Sequence, residues 1–153
     1  MSETIESLFE HDKWATRRVI AAIASTPEKG GEALRLLAHL LLAEKVWFLR
    51  MKGVDTTGTN VFAELTLAGC ESLAEENHIN YTEFIAALTE EDANRLVVYK
   101  NLSGKEFRTP LSDILLHVAL HGNYHRGQIA SSLRGAGHTP VNTDYITYVR
   151  EEG

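Results

Sequence analysis

Cysteine is nearly absent from this chain: Cys70 stands alone among 153 residues. It can form no intrachain disulfide and no cysteine-rich zinc site, and a single thiol suits a reducing cytosol. Prolines number three, which leaves room for long uninterrupted helices. Basic charge is scarce as well, with 15 Lys and Arg against 21 Asp and Glu and a formal net charge of −6. The densest basic pair, Arg17 with Arg18, sits near Glu10 and Asp12. A phosphate-binding surface needs a basic excess, so no nucleic-acid partner is expected. Long apolar runs are also missing. The stretch from Leu34 to Leu49 is interrupted by Arg35, His39, Glu44 and Lys45, too short and too polar to span a bilayer. The first ten residues carry acidic groups and no apolar signal core. These absences together lead to the expectation of a cytoplasmic protein without a membrane partner.

What is present is helical periodicity. The length fits one domain over 1–153, able to bury roughly 70% of its unfolded surface without staples. Ile5, Leu8, Phe9, Val19, Ile20 and Ile23 recur at helical spacing and predict a helix over about 4–25, ended by Thr26-Pro27 and Gly30-Gly31. Leu34, Leu37, Leu41 and Phe48 form the ridge of a second helix over about 32–51, with Gly53 as its stop. Residues 55–60 read as a surface loop. A third helix over about 66–88 carries Glu71, Glu75, Glu76 and Glu83, and should lie outermost with one buried stripe. The period then changes. Leu96-Val97-Val98-Tyr99, a turn at Ser103-Gly104, and Glu106-Phe107-Arg108-Thr109 predict a short hairpin packed on the helices. A fourth long helix begins after Pro110, with Ser112 as its cap, and runs to about Arg134, closed by Gly135 or Gly137. Asn142 or Thr143 caps a final turn through Tyr145 and Tyr148. The fold class is all-α, a four-helix bundle with a β-hairpin before its last long helix.

Seven histidines occur, and three of them, His117, His121 and His125, recur every four residues on the predicted fourth helix. Residues so spaced share one face. Histidine is a mediocre helix former and rarely core filler. The rise of about 1.5 Å per residue separates His117 from His125 by roughly 12 Å. Metal–nitrogen bonds are only about 2.0–2.1 Å. One ion can therefore engage His117 with His121 or His121 with His125, but not both ends of the row. A third ligand must come from another helix, and His39, alone in the apolar second helix, is the candidate. Two imidazoles from one helix and one from a neighbour, with an open position, make a catalytic rather than a structural type of metal site. His11, His78 and His138 fall near polar or turn segments and are expected in solvent. His117-Val118-Ala119-Leu120-His121 has the outer spacing of a zincin motif, but Val118 stands where that chemistry needs glutamate, so a metalloprotease is not expected.

The segment His121-Gly122-Asn123-Tyr124-His125-Arg126-Gly127-Gln128 resembles the signature of the DinB/YfiT-like family, whose fourth bundle helix carries His-x-x-x-His-Arg-Gly-Gln. Asp12-Lys13-Trp14-Ala15-Thr16, the stretch from His39 to Trp47 with Glu44 between, and Pro140-Val141-Asn142-Thr143-Asp144-Tyr145 resemble its other patches, in order along nearly the whole chain. Thr16 departs from the asparagine frequent there. The resemblance implies a bundle of up-down-down-up order, frequent homodimers, and a zinc- or nickel-like divalent ion. Its metal triad, matched residue by residue, is His39, His121 and His125, with His117 left outside. It also implies an enzyme: a metal-dependent transferase or isomerase acting with a low-molecular-weight thiol. The competing expectation is a stress-response or ligand-binding protein whose metal site senses a small molecule. Arg126 is read as a salt-bridge partner or as a group orienting an anionic ligand. Gln128 and Glu44 are read as packing or supporting groups and Asp144 as a cap. Trp14, Trp47 and Tyr124 are taken as core or pocket wall, and Cys70 as inert.

Overall fold

Residues 2–152 of the chain are described by a computed structural model. The elements are α1 (Glu3–Ala24), α2 (Gly31–Met51), α3 (Leu67–Ala86), α4 (Glu90–Ala93), β1 (Leu96–Lys100), β2 (Glu106–Pro110), α5 (Leu111–Gly135) and α6 (Tyr145–Glu152). Four long helices make the bundle, and the hairpin pairs antiparallel with Leu96 opposite Pro110 and Lys100 opposite Glu106. No helix among the described residues is long and apolar enough to cross a membrane.

Local chemistry sets the helix ends. The Ser2 and Thr66 side chains accept from the backbone N–H groups of Ile5 and Gly69 at the starts of α1 and α3. Gly53 and Gly137 end α2 and α5 with positive φ. In each case the glycine N–H donates three residues back and the next N–H five residues back, to Arg50 and Leu49 and to Arg134 and Leu133. That pattern saturates the last carbonyls of the helix. Of the two glycines expected to close α5, Gly137 is the one that does so; Gly135 is still helical. Ser112 is not a cap, because α5 already begins at Leu111, directly after Pro110, and no side chain caps it. The short α4 was invisible to periodicity because one turn has none; a capping box between Thr89 and Asp92 holds it.

The helix directions follow from paired contacts. Asn77 donates to the Leu41 carbonyl at 2.9 Å and Tyr81 to the Glu44 carbonyl at 2.7 Å, so α2 and α3 run parallel. Phe9 stacks on Tyr81 while Arg17 pairs with Glu75, so α1 and α3 are antiparallel. Trp47 meets His117 and Glu32 meets Ser132, so α2 and α5 are antiparallel. The order is up-down-down-up, with the connection from 52 to 66 carrying the crossover between the two parallel helices.

The interior has three layers. One apolar cluster joins Val19, Ile23, Leu37, Leu41, Cys70, Ile129 and Leu133. A second, toward the hairpin, joins Phe9, Met51, Ile85, Val97, Leu111, Leu115 and Val118. Between them lies a buried polar layer drawn from all four long helices: Asp12, Thr16, Glu44, Asn77, His78 and Arg126.

Candidate metal centre

Positions 121 and 125 of α5 lie one turn apart on the face turned toward α2, and position 39 of α2 meets them from across the interface. The ring centroids of His39 and His125 are 4.7 Å apart, those of His39 and His121 5.6 Å, and those of His121 and His125 4.4 Å. One ring nitrogen from each residue lies within 4.8 Å of the other two, and all three side chains are half-buried. Among the described residues no fourth histidine, cysteine or carboxylate joins this group.

Hydrogen bonds determine which nitrogen of each ring faces inward. The Val61 carbonyl lies 3.0 Å from His39 Nδ1. A carbonyl can only accept, so Nδ1 carries a proton, and in the neutral form of the ring the lone pair is on Nε2. Gln128 Oε1, 2.7 Å from His125 Nδ1, acts on that ring in the same way. His125 Nε2 then faces His121 Nε2 at 3.0 Å. Two lone pairs at that separation repel unless a proton or a cation lies between them. Burial, followed by the charges His125, His117 and His39 would carry, pushes His121 down to about 4. Burial also lowers His125, against the Gln128 hydrogen bond. Both rings are therefore neutral at physiological pH, the state a metal requires. The donor set fits a divalent transition-metal ion: three imidazoles, two with their outer nitrogens anchored, and an open side.

The other histidines divide differently from expectation. His117 makes ring contacts with Trp47 and His121, at 5.3 Å and 5.6 Å, and stays outside the group. His138 pairs with Glu28 near the surface. His11 and His78, expected in solvent, are buried. The reason for His11 is that α6 folds back over α1. Its Nε2 donates to the Thr143 carbonyl at 2.7 Å, and its ring lies against Trp14, Tyr145 and Tyr148. His78 lies on the one face of acidic α3 that turns inward. Both its nitrogens lack a hydrogen-bond partner, with the Glu75 carboxylate 3.9 Å from Nδ1.

Arg126 does not face the histidines. It lies in the polar layer, 1% exposed, with Nη1 donating to Asp12 Oδ1 at 2.6 Å. Glu44 lies in the same layer, where burial and then the Asp12 charge push its carboxyl well above the usual range. Burial opposes ionisation of Asp12 too, but Arg126 and a hydrogen bond with Glu44 hold it below its ordinary value. Glu44 is thus the protonated member of the pair. Asp144 stays off the histidine cluster: its backbone carbonyl accepts in the first turn of α6, while Asn142 Oδ1 accepts from the Asp144 N–H as a turn residue should. Tyr124 is not core but rim, 63% exposed beside His125. Trp14 and Trp47 are half-buried. Cys70 is fully buried, its thiol raised by burial to about 11.

One residue of the site escaped sequence reasoning. Phe62 stacks flat on His39 at 4.3 Å, yet 74% of its surface remains exposed. Its position comes from the connection between α2 and α3, where Asn60 Oδ1 accepts from the Phe62 N–H and the adjacent Val61 carbonyl takes His39. Asn60 was legible as a turn residue, but the stacking was not.

Comparison with known proteins bears on both fold and site. A family model described as the DinB family matches residues 1–152. Protein DinB of Bacillus subtilis (strain 168) is 26% identical over 164 residues, an alignment covering 97% of this chain and 95% of that protein. The crystal structure of a DinB-like protein from Bacillus cereus superposes with a TM-score of 0.54 over 84% of this chain and 90% of that one. At 19% identity that likeness speaks for the fold alone.

Proposed function

The chain belongs to the DinB family, and on that premise we propose that His39, His121 and His125 bind one divalent transition-metal ion, zinc or nickel, whose open side takes a small thiol in a transferase- or isomerase-type reaction. The observation that carries this reading is the convergence of three imidazole nitrogens within 4.8 Å with no fourth protein ligand among the described residues. An ion held there supplies Lewis acidity and lowers the pKa of a thiol or water placed on it. The chain's own residues do the rest. Val61 and Gln128 hold two of the rings in the ligating tautomer. Phe62 and Tyr124 set aromatic rings beside His39 and His125 at the rim of the site. The ligand class, a low-molecular-weight thiol, rests on family resemblance.

A second reading, a ligand-binding or stress-response protein without turnover, is favoured by one observation. Glu44, the carboxylate nearest the histidines in sequence on α2, is buried in the core layer and held protonated, so it offers no general base to the open side.

The deciding experiment pairs far-UV circular dichroism with thiol titration of apo and cobalt-loaded protein. We expect helicity to survive chelation, since two apolar clusters hold the bundle, and thiols to shift the cobalt spectrum only when metal is present. Helix loss on chelation would point to a structural ion. A cobalt spectrum that no thiol moves would sink the thiol reading.

A further inference from the structure

One helical turn from the histidines, between the start of α2 and the end of α5, lies a cleft of about 630 Å³. Small-molecule sites occupy roughly 300–1,000 Å³. Two lining residues connect it to the triad. Leu36 precedes His39 by three residues on α2, and Gln128 follows His125 by three on α5. Because these helices are antiparallel, both offsets lead toward the same end of the bundle. Gln128, bonded to His125 on one side and lining the cleft on the other, is the sill between the two.

Apart from His138, the ionisable groups of the lining are carboxylates. Glu28 and Glu32 contribute carboxylates, Ser131 and Ser132 hydroxyls, and no lysine or arginine takes part. Glu28 is engaged by His138 at 2.6 Å. Glu32 makes a long contact of 3.5 Å with the Ser132 hydroxyl and no ion pair within the described residues. The first residues of α2 and the last of α5 also border the cleft. They bring a positive and a negative helix end, which offset each other. The carboxylates therefore set the sign.

We propose that this cleft receives the far end of the ligand held at the triad, and that this end carries a primary ammonium. The proposal rests on the metal reading above for the ligand's near end. His39 and Glu32 are seven residues apart on one helix, about 10 Å along its axis. The ammonium must stand at roughly that distance from the atom that meets the ion, with the intervening chain crossing Leu36 and the Gln128 sill.

Two pairs of thiols test this on the cobalt-loaded protein at low ionic strength: aminohexanethiol against mercaptohexanol, which span the distance, and cysteamine against mercaptoethanol, which do not. Aminohexanethiol should bind roughly threefold or more tightly than mercaptohexanol, the scale of a partly exposed ion pair. The double variant Glu28→Gln with Glu32→Gln should erase that preference and leave mercaptohexanol binding unchanged. Glu32→Gln alone, which disrupts no ion pair, should erase part of it. The ratio for the short pair should be the same in wild type and variant, which removes the acidity of the thiols themselves from the comparison. Equal binding of the long pair by the wild type, or a preference that survives the double variant, overturns the proposal while leaving the metal reading intact. A spectrum that none of the four thiols moves overturns this proposal together with the thiol reading above, and leaves metal binding itself standing.

Discussion

His121 and His125 open onto the groove between α2 and α5, while the next residues in sequence, Gly122 and Arg126, face the bundle interior. Two polar clusters are thus interleaved on one stretch of helix and handle polarity in opposite ways. In the open cluster, three imidazoles converge, two of them with their outer nitrogens anchored, and their shared need is a cation from outside. In the buried cluster the charges answer one another internally. Arg126 pairs with Asp12, and Glu44 keeps its proton beside them. The closed cluster leaves loose ends, with no hydrogen-bond partner for Glu44 Oε1, Arg126 Nε or either nitrogen of His78, and Glu44 and His78 border a void of about 10 Å³. The lesson is that a half-buried set of bases invites a ligand, whereas a fully buried set must neutralise itself. The buried pair ties α5 to α1 at the residue next to His125.

The sharpest way to break the comparison is Arg126→Ala. It leaves Asp12 buried and unpaired and should cost about 3–5 kcal/mol of stability, read from the midpoint of urea denaturation. A loss under about 1 kcal/mol, the range of exposed pairs, would mean that the layer is wet rather than closed. His121→Ala should do the reverse. Metal affinity should fall by more than about 100-fold, beyond the usual range for groups that only support a ligand, while the stability of the apoprotein stays nearly level. His117→Ala should change metal content far less. Metal analysis of the two purified variants decides it, and a His121→Ala protein that keeps its ion would show that the open cluster does not hold the metal.

Two glycines of α5 sharpen the contrast at smaller cost. A methyl group on Gly122 would sit 3.0 Å from Asp12 Oδ1 and 3.1 Å from Arg126 Nη1. Glycine to alanine inside a helix ordinarily stabilises by about 0.5–1 kcal/mol. Here overpacking against the ion pair should reverse the sign and destabilise by about 1–3 kcal/mol. Gly127, with nothing within 4 Å, should show the ordinary gain. Thermal melts of Gly122→Ala and Gly127→Ala that move in the same direction would disprove the close approach.

The subtlest effect is on pH. The Glu44 carboxyl is raised from its ordinary 4.5 by burial and the Asp12 charge, so the folded chain holds this proton more tightly than the unfolded one. Its contribution is full below 4.5 and is lost as pH rises through the folded value. Asp12, held below its ordinary 3.8, acts in the opposite sense and costs stability only as pH falls past that value. Glu44→Gln should therefore flatten the alkaline decline of the melting temperature and leave the acid limb in place. An unchanged alkaline limb would show that Glu44 is ionised in the fold.

Much of this was legible in the chain itself. The four long helices came from the spacing of Leu34, Leu37, Leu41 and their counterparts, and the hairpin from the change of period at Leu96. Gly53 marked one helix end because only a residue free to adopt positive φ ends a helix that way. A four-residue repeat of histidine, together with one more in an apolar helix, sufficed to nominate His121 and His39. Spacing alone left His117 with His121 as an equal pair, and the family resemblance made the choice between them. Other features were beyond such reading. Asp12 and Asn77 look like solvent-facing residues when each helix is considered singly, and Arg126, read as a salt-bridge partner, and Glu44, read as a packing group, had no partner that spacing could name. They form a layer only because four faces meet, the most distant pair 114 positions apart. His11 is buried by α6 returning over α1, and Phe62 reaches His39 from the crossover connection. Helical periodicity repeats within a few residues, so sequence by itself determined which segments coil and which residues share a face. Which faces meet depends on packing among all of them at once, and only the tertiary structure decided that the histidines should lie open and the charges beside them closed.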